Sequence, residues 1–344
     1  MVHRAKAPLR VSFAGGGTDV PPFPEQEGGL VLSAAINRYA YGSLTPRADD
    51  RIRIESVDFG LEETFGAGEE MMFDGKLGLV KAAIGKLRTG SGGRRAGDSG
   101  YDLFLHSSAP PGSGLGSSST VMVTLIGLLK DFHRLPLTDY EIAELAYTIE
   151  RVDLGIKGGH QDQYAATFGG FNFIEFHADH VIVNPLRISA DVIHELEHNM
   201  LLVYTGRTRQ SDGIIEDQTQ RFTGGEEDAI AGLRMQKDLA VEMKNALLRR
   251  RLDQFGELLG TAWQYKKKMS PRISTSFIDE AYEEAIKHGA LGGKVTGAGG
   301  GGYMLFFCPF QHKHRVADRL IEMGATVTEF EFAHEGLTTW AFDV

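Results

Sequence analysis

The chain has 344 residues, with 36 lysines and arginines against 46 aspartates and glutamates, a formal net charge of −10 and a single cysteine. That length holds one large domain or two ordinary ones, and 42% hydrophobic with 24% charged residues describes a globular chain rather than a disordered one. The acidic balance argues against nucleic acid or an anionic membrane as partner, while a lone Cys308, an N-terminus without an apolar signal stretch and the lack of a long apolar run point to the cytoplasm.

In chain order, residues 9–14 read as a short strand entering a glycine turn at 15–17. Residues 30–36 and 39–45 are extended segments, and 52–57 alternate apolar and polar side chains as a half-buried strand does. Residues 77–87 have helical spacing, and 90–100 (GSGGRRAGDSG) read as a loop. A strand at 101–107 leads straight into APPGSGLGSSST, and the apolar run over 120–133 predicts a buried helix. Thr138 and Glu141 form a capping box opening a helix that runs to about residue 152, and 171–176 return to strand alternation.

A boundary falls near residue 185. Beyond it, 200–204 read as a strand, and 224–246, 252–268 and 277–288 as helices. Strands at 294–296 and 303–308 flank a glycine run, and 315–323 and 325–332 follow as helix and strand. Without regular βαβ alternation, the pattern indicates an α+β fold in two domains, residues 1–185 and 186–344.

The 43 glycines are about one residue in eight, against roughly 7% on average, and they cluster. Clustered glycine marks backbone that approaches a ligand or takes positive φ. Pro111, Gly112, Ser113, Gly114, Leu115, Gly116, Ser117, Ser118 and Ser119 join a strand to the start of the buried helix. There, amide N–H groups can curl around an anion, the helix N-terminus adds positive dipole, and the serines offer hydroxyls to phosphate oxygens or magnesium. No GK[ST] closes the loop and its spacing misses GxGxxG, so it is neither a Walker A loop nor a dinucleotide fingerprint.

A second glycine run, containing Gly299 and Gly300, suits the other side of a polyphosphate. Asp162, in a turn with Gly159 and His160, is a candidate to orient or deprotonate a hydroxyl. Glu150, on the preceding helix, is a candidate magnesium ligand. Arg10, Gly17, Thr18 and Asp19 (LRVSFAGGGTD) suit a polyol, the carboxylate accepting sugar hydroxyls while the arginine neutralises developing charge. His194-Glu195-Leu196-Glu197-His198 matches the zinc-protease pattern, but the helix around it is short and acidic and a strand follows at once, so metal hydrolysis is set aside.

These elements, in this order, resemble the GHMP kinase superfamily of galactokinase, homoserine kinase, mevalonate kinase and phosphomevalonate kinase, over residues 8–307. PPGSGLGSSS is the most specific segment. GGGTDVPPF, GGLVLS at 28–33 and GGHQDQYAATFGG narrow the resemblance to the sugar 1-kinase branch of the D-glycero-D-manno-heptose 7-phosphate kinases, related to the fucokinases. The resemblance implies an N-terminal domain like domain 2 of ribosomal protein S5 and a ferredoxin-like C-terminal domain, with the active site between them. It implies ATP phosphates on the serine loop, Mg2+ on Ser118 and Glu150, catalysis by Asp162 and Arg10, and sugar on Asp19.

The implied reaction is ATP-dependent phosphorylation of the anomeric hydroxyl of the heptose 7-phosphate. Alternatives are a fucokinase- or galactokinase-like enzyme acting on an unphosphorylated sugar, a catalytically silent sugar and ATP sensor, and an ATP-dependent decarboxylase. Gly-His-Gln-Asp-Gln stands where galactokinases show Gly-x-Met-Asp-Gln, which keeps Asp162 in place but argues against galactose. A phosphorylated sugar needs cations, and the first candidates are Arg207 and Arg209 in TGRTRQS, the second Lys266 in the lysine run 266–268. The helices over 224–268 are the candidate interface for a homodimer.

Overall fold

The structure is a computed structural model that describes residues 1–58, 60–66, 69, 77–89, 100–208 and 212–343. Most of the loop read at 90–100 lies outside the described residues, as does Arg209. The first half of the chain runs β1 (Val2–Ala14), α1 (Phe23–Glu27), β2 (Gly29–Pro46), β3 (Arg51–Ser56), β4 (Leu61–Gly66), α2 (Gly78–Thr89), β5 (Tyr101–Ser107) and α3 (Ser117–His133). It continues with α4 (Asp139–Tyr147), a π-helical turn (Thr148–Asp153), α5 (Gln161–Phe168), β6 (Phe171–Phe176) and β7 (Val181–Pro185). The second half runs α6 (Ala190–Asn199), β8 (Met200–Tyr204), α7 (Asp212–Thr223), α8 (Glu227–Leu248), α9 (Leu252–Met269), α10 (Ser276–Lys287), β9 (Gly292–Val295) and β10 (Tyr303–Phe307). It closes with α11 (Phe310–Glu322), β11 (Thr326–Thr328) and β12 (Thr338–Phe342).

Among the described residues the first sheet has eight strands, ordered β12-β1-β2-β5-β3-β4, with β6 and β7 continuing from the other half of β2. The two segments expected at 30–36 and 39–45 are one strand of 18 residues. Pro8 pairs with Tyr39 but Leu9 with Ile36, so Asn37 and Arg38 form a bulge that lets β2 turn from β6 to β5. The second sheet is antiparallel, β11-β8-β10-β9, covered by the later helices. The capping box forms as read: Thr138 Oγ1 accepts from Glu141 N and the Glu141 carboxylate from Thr138 N.

One core joins the halves. Leu9, Val11 and Phe13 of β1 pack with Leu202 of β8, Met243 of α8 and Phe255 and Leu259 of α9. Burying side chains of this size contributes roughly 1.5–3 kcal/mol each. The division at 185 meets the end of β7, but the last segment does not stay in the second half: Thr338 to Phe342 pair with Lys6 to Val2 of β1. The elements α1, β4, α7 and β12 were not among the expected ones. The strand expected at 325–332 is confined to three residues, Thr326–Thr328, because Phe330 and Phe332 leave the second sheet to pack under β1. No helix among the described residues is long and apolar enough to cross a membrane.

Candidate active site

The phosphate-loop candidate joins β5 to α3. Gly112, Gly114 and Gly116 take φ of +74°, +83° and +78°, alternating with Ser113 and Leu115. The alternation turns Leu115 into the apolar core while Gly112, Gly114 and Gly116 line the cleft. α3 starts after Gly116 with no side-chain cap, which leaves first-turn N–H groups for an anion. The serines act elsewhere: Ser117 Oγ donates to Ala109 O at 3.0 Å, Ser118 Oγ to Glu150 Oε1 at 3.0 Å, and Ser119 Oγ accepts from Gln163 Nε2 at 3.0 Å.

The second glycine run packs on the first backbone to backbone. A Cβ on Gly297 would lie 2.6 Å from Gly114 Cα, and Tyr303 N donates to Ser113 O at 2.9 Å. Gly299 lines the cleft, whereas Gly300 N donates to Ile273 O at 2.8 Å and braces the loop from behind. Ser113 is likewise buried behind the loop, with Oγ unpartnered.

Glu150 is fully buried on the π-helical turn. Its Oε2 accepts from Gln163 Nε2 at 2.5 Å, and among the described residues it has no ion pair. A buried carboxylate with only hydroxyl and amide neighbours lacks a counter-charge, and with Ser118 it offers the hard oxygen donors a divalent cation takes.

Arg10, 4% exposed on β1, meets Asp162 in the first turn of α5. Its Nε and Nη2 approach Asp162 Oδ1 at 2.8 and 2.6 Å, and Nη1 donates to Gly114 O at 2.7 Å. Both contacts fall on Oδ1, which leaves Oδ2 for another donor. A Cβ on Gly116 would lie 3.2 Å from Asp162 Cγ, so the carboxylate sits directly over the phosphate loop.

At the other end, Asp19 Oδ1 accepts from Gly17 N at 2.9 Å and Gln161 Nε2 at 3.0 Å, and Oδ2 from Gln161 N at 3.1 Å. Gly159 makes this possible, because a Cβ there would come within 2.0 Å of Asp19 Oδ2. Two buried lysines face the same space. Lys266 Nζ, on a residue 3% exposed, donates to Gly16 O at 3.3 Å, and Lys294 Nζ, on one 1% exposed, to Ser12 O at 2.8 Å. Neither has a carboxylate within ion-pair range among the described residues. Burial pulls the Lys266 ammonium down to about 8, helped by Arg10 and opposed by Asp19. Lys294 is held well below the usual lysine range by burial and by the charges of Lys266 and Arg10.

Arg10, Asp19, Ser118, Asp162, Lys266 and Lys294 line one cleft of about 460 Å3, while the fully buried Glu150 bonds Ser118 without itself reaching the wall. Several expected members lie outside its wall. Thr18 is buried and braces its turn, bonding Gly15 O and Leu30. His160 stacks on Tyr147 with ring centroids 3.6 Å apart, and burial holds it near pKa 4, hence neutral. Arg207 is exposed and contributes its carbonyl, which accepts from Gly302 N at 2.8 Å. Of the candidate cations Lys266 is thus the one on the wall, where Thr208 also stands; Arg209 lies outside the described residues. Lys267 pairs with Asp279 and Lys268 lies over Tyr265; helical rotation points the three apart, and Lys266 is the one turned inward.

Lys294, Gln161 and Arg151 line the cleft without having been singled out. Lys294 stands two residues before the Thr296-Gly297 strand end, and that spacing was its one sequence signal. In the zinc-protease pattern, His194 faces Glu197 and His198 stacks on Phe310, so the histidines do not converge. Among the described residues no three His, Cys, Asp or Glu side chains form a metal cluster.

The family described as GHMP kinases N terminal domain matches residues 78–170, and GHMP kinases C terminal matches residues 243–326. The D-glycero-alpha-D-manno-heptose 7-phosphate kinase of Campylobacter jejuni is 39% identical over 338 residues, 98% of each chain. The bifunctional fucokinase/GDP-fucose pyrophosphorylase of Arabidopsis thaliana is 28% identical over 94% of this chain and 31% of its own. A crystal structure described as a D-glycero-D-manno-heptose 1-phosphate kinase from Bacteroides thetaiotaomicron superposes with a TM-score of 0.83 at 35% identity, covering 99% of this chain and 100% of that one.

Proposed function

Because the chain belongs to the GHMP kinase family, and is therefore a phosphotransferase, we propose that it transfers the terminal phosphoryl group of ATP to the anomeric hydroxyl of D-glycero-D-manno-heptose 7-phosphate. The product is the 1,7-bisphosphate, a precursor of nucleotide-activated heptose, and the compartment is the cytoplasm. The observation that carries the substrate class is the pair of buried lysines, Lys266 and Lys294, facing the cleft beside Asp19 without carboxylate partners. Such a wall in an acidic protein suits a sugar that already bears phosphate.

In this reading Asp19 accepts sugar hydroxyls and Lys266 neutralises the sugar's phosphate. The amides of the glycine loop and the α3 N-terminus hold the nucleotide phosphates. Ser118 and Glu150 would hold Mg2+, which neutralises charge on phosphate oxygens when bound. Asp162 uses Oδ2 to orient the anomeric hydroxyl and takes its proton as the new O–P bond forms and the bond to ADP breaks. An anomeric hydroxyl is more acidic than an ordinary alcohol, so a strong base is not needed. Arg10 fixes Asp162 by Oδ1 and stabilises charge at the transferring group; positioning and fixed charge are the main requirements of such a transfer.

The test is ADP release with ATP and magnesium, comparing the heptose 7-phosphate with mannose, galactose and fucose, with phosphorus NMR on the product. Strong preference for the heptose phosphate and a new phosphate on C1 is the expected result. Preference for an unphosphorylated sugar would retire the substrate and the lysine assignment.

A further inference from the structure

Arg151 follows Glu150 on the π-helical turn Thr148–Asp153. Such turns interrupt a helix at a cost and recur at functional sites. Here consecutive side chains reach consecutive serines of the first turn of α3: Glu150 Oε1 meets Ser118 Oγ at 3.0 Å, and Arg151 Nη2 donates to Ser119 Oγ at 3.4 Å. The guanidinium is poorly satisfied. Nη1 contacts Lys157 O at 3.5 Å, Nε is buried without any hydrogen-bond partner, and no carboxylate pairs with Arg151 among the described residues. A buried donor without an acceptor is costly, and the chain has nonetheless made room for it. A Cβ on Gly158 would lie 2.3 Å from Arg151 Cζ, so the glycine leaves the volume the guanidinium fills. Arg151, Lys157, Ser118 and Ser119 share the wall of the cleft.

We propose that Arg151 binds the terminal phosphate of the nucleotide, next to the Ser118–Glu150 pair. A planar guanidinium fork matches phosphate oxygens, and an oxygen arriving here supplies the acceptor that Nε lacks and a closer one than the long contacts of the Nη groups. The alternative anion, a phosphate carried by the sugar, belongs beside Lys266 and Asp19 rather than against the serine loop. The inference rests on the kinase reading but not on which sugar is used.

Calorimetry without sugar tests it, using the wild type, Arg151→Ala and Arg151→Lys with magnesium and either ADP or the β,γ-imido analogue of ATP. The expected result is at least a tenfold loss of analogue affinity in Arg151→Ala with ADP affinity within twofold, and partial recovery in Arg151→Lys. An equal loss for both nucleotides marks a merely structural role and overturns the proposal, as does no loss for either. Kinetics with whichever sugar is phosphorylated adds an independent reading. A fall in kcat with unchanged sugar KM is expected; a loss confined to the KM of a phosphorylated sugar would assign the guanidinium to the sugar and overturn it. Failure to phosphorylate any sugar would sink the kinase substrate assignment while leaving the calorimetric comparison intact.

Discussion

Lys266 makes a prediction whose size follows from its burial. The residue is 3% exposed, and its ammonium donates only to a backbone carbonyl and has its pKa pulled from 10.5 down to about 8. A phosphate dianion is held by the ammonium and not by the free amine. The sugar phosphate, with a second pKa of about 6, stays dianionic from pH 7 upward. The charged fraction of Lys266 is about 0.9 at pH 7 and about 0.09 at pH 9, so the KM for the phosphorylated sugar should rise about tenfold across that interval. Initial rates of ADP release between pH 6.5 and 9.5 read this as a log KM that is flat and then climbs with unit slope above pH 8. Lys266→Arg keeps its charge and should abolish the break, and mannose, with no phosphate, should not show one. A wild-type profile without a break, or the same break in Lys266→Arg, would refute the assignment. The group acts oppositely on stability. Its folded pKa lies below its unfolded one and the charged form is the penalised one, so its contribution rises as pH climbs from about 8 to 10.5. Lys266→Met should therefore raise the melting temperature at pH 7, by an amount worth at most about 3 kcal/mol.

Arg10→Ala should lower kcat by roughly 10²–10³ and raise the KM for ATP by much less, since the guanidinium touches Asp162 and a carbonyl of the glycine-serine loop; an unchanged kcat would contradict its role. Glu150→Gln should raise the magnesium concentration for half-maximal rate at least tenfold, measured by magnesium titration at saturating ATP. Gly159→Ala should push Asp19 aside and raise sugar KM at least tenfold with KM for ATP within twofold, as steady-state kinetics on both substrates would show. Cys308, buried and with its thiol pushed up to about 12, should resist a thiol reagent in the folded protein and react at once in denaturant.

The parts of the site that were legible in the sequence are those built from neighbours along the chain. The turn built by the glycines at 112, 114 and 116 and the start of α3 behind it were readable because φ values and a helix start are local properties. The capping box at Thr138 was readable for the same reason. Lys266 was not separable from Lys267 and Lys268, because only packing against β1 and its glycine turn decides which of three adjacent lysines is buried. Lys294 is likewise an ordinary charged residue until the fold removes it from water, and Arg151 until the fold sets it on the cleft wall with its Nε buried. Among the elements, β2 was broken at Asn37 and Arg38 since a bulge looks like a gap in the apolar alternation. α7 (DGIIEDQTQRFT) escaped because its polar majority hides the buried Ile214, Gln218 and Phe222.

The antiparallel pairing of β12 with β1 ties the two extremities of the described chain into one ladder, Val2 opposite Phe342. Closing a loop of that length is among the slowest events a chain can make, and during synthesis β1 must wait for residues 338–342 to emerge. Until then the outer rim of the first sheet is a bare row of N–H and C=O groups, the kind of rim on which nascent chains stick to one another. A nascent chain or fragment stopping at residue 185 would carry that rim permanently, together with the apolar face of β1 that α8 and α9 normally cover. The kinase halves are thus two in architecture and one in assembly, and the last strand acts as the clasp.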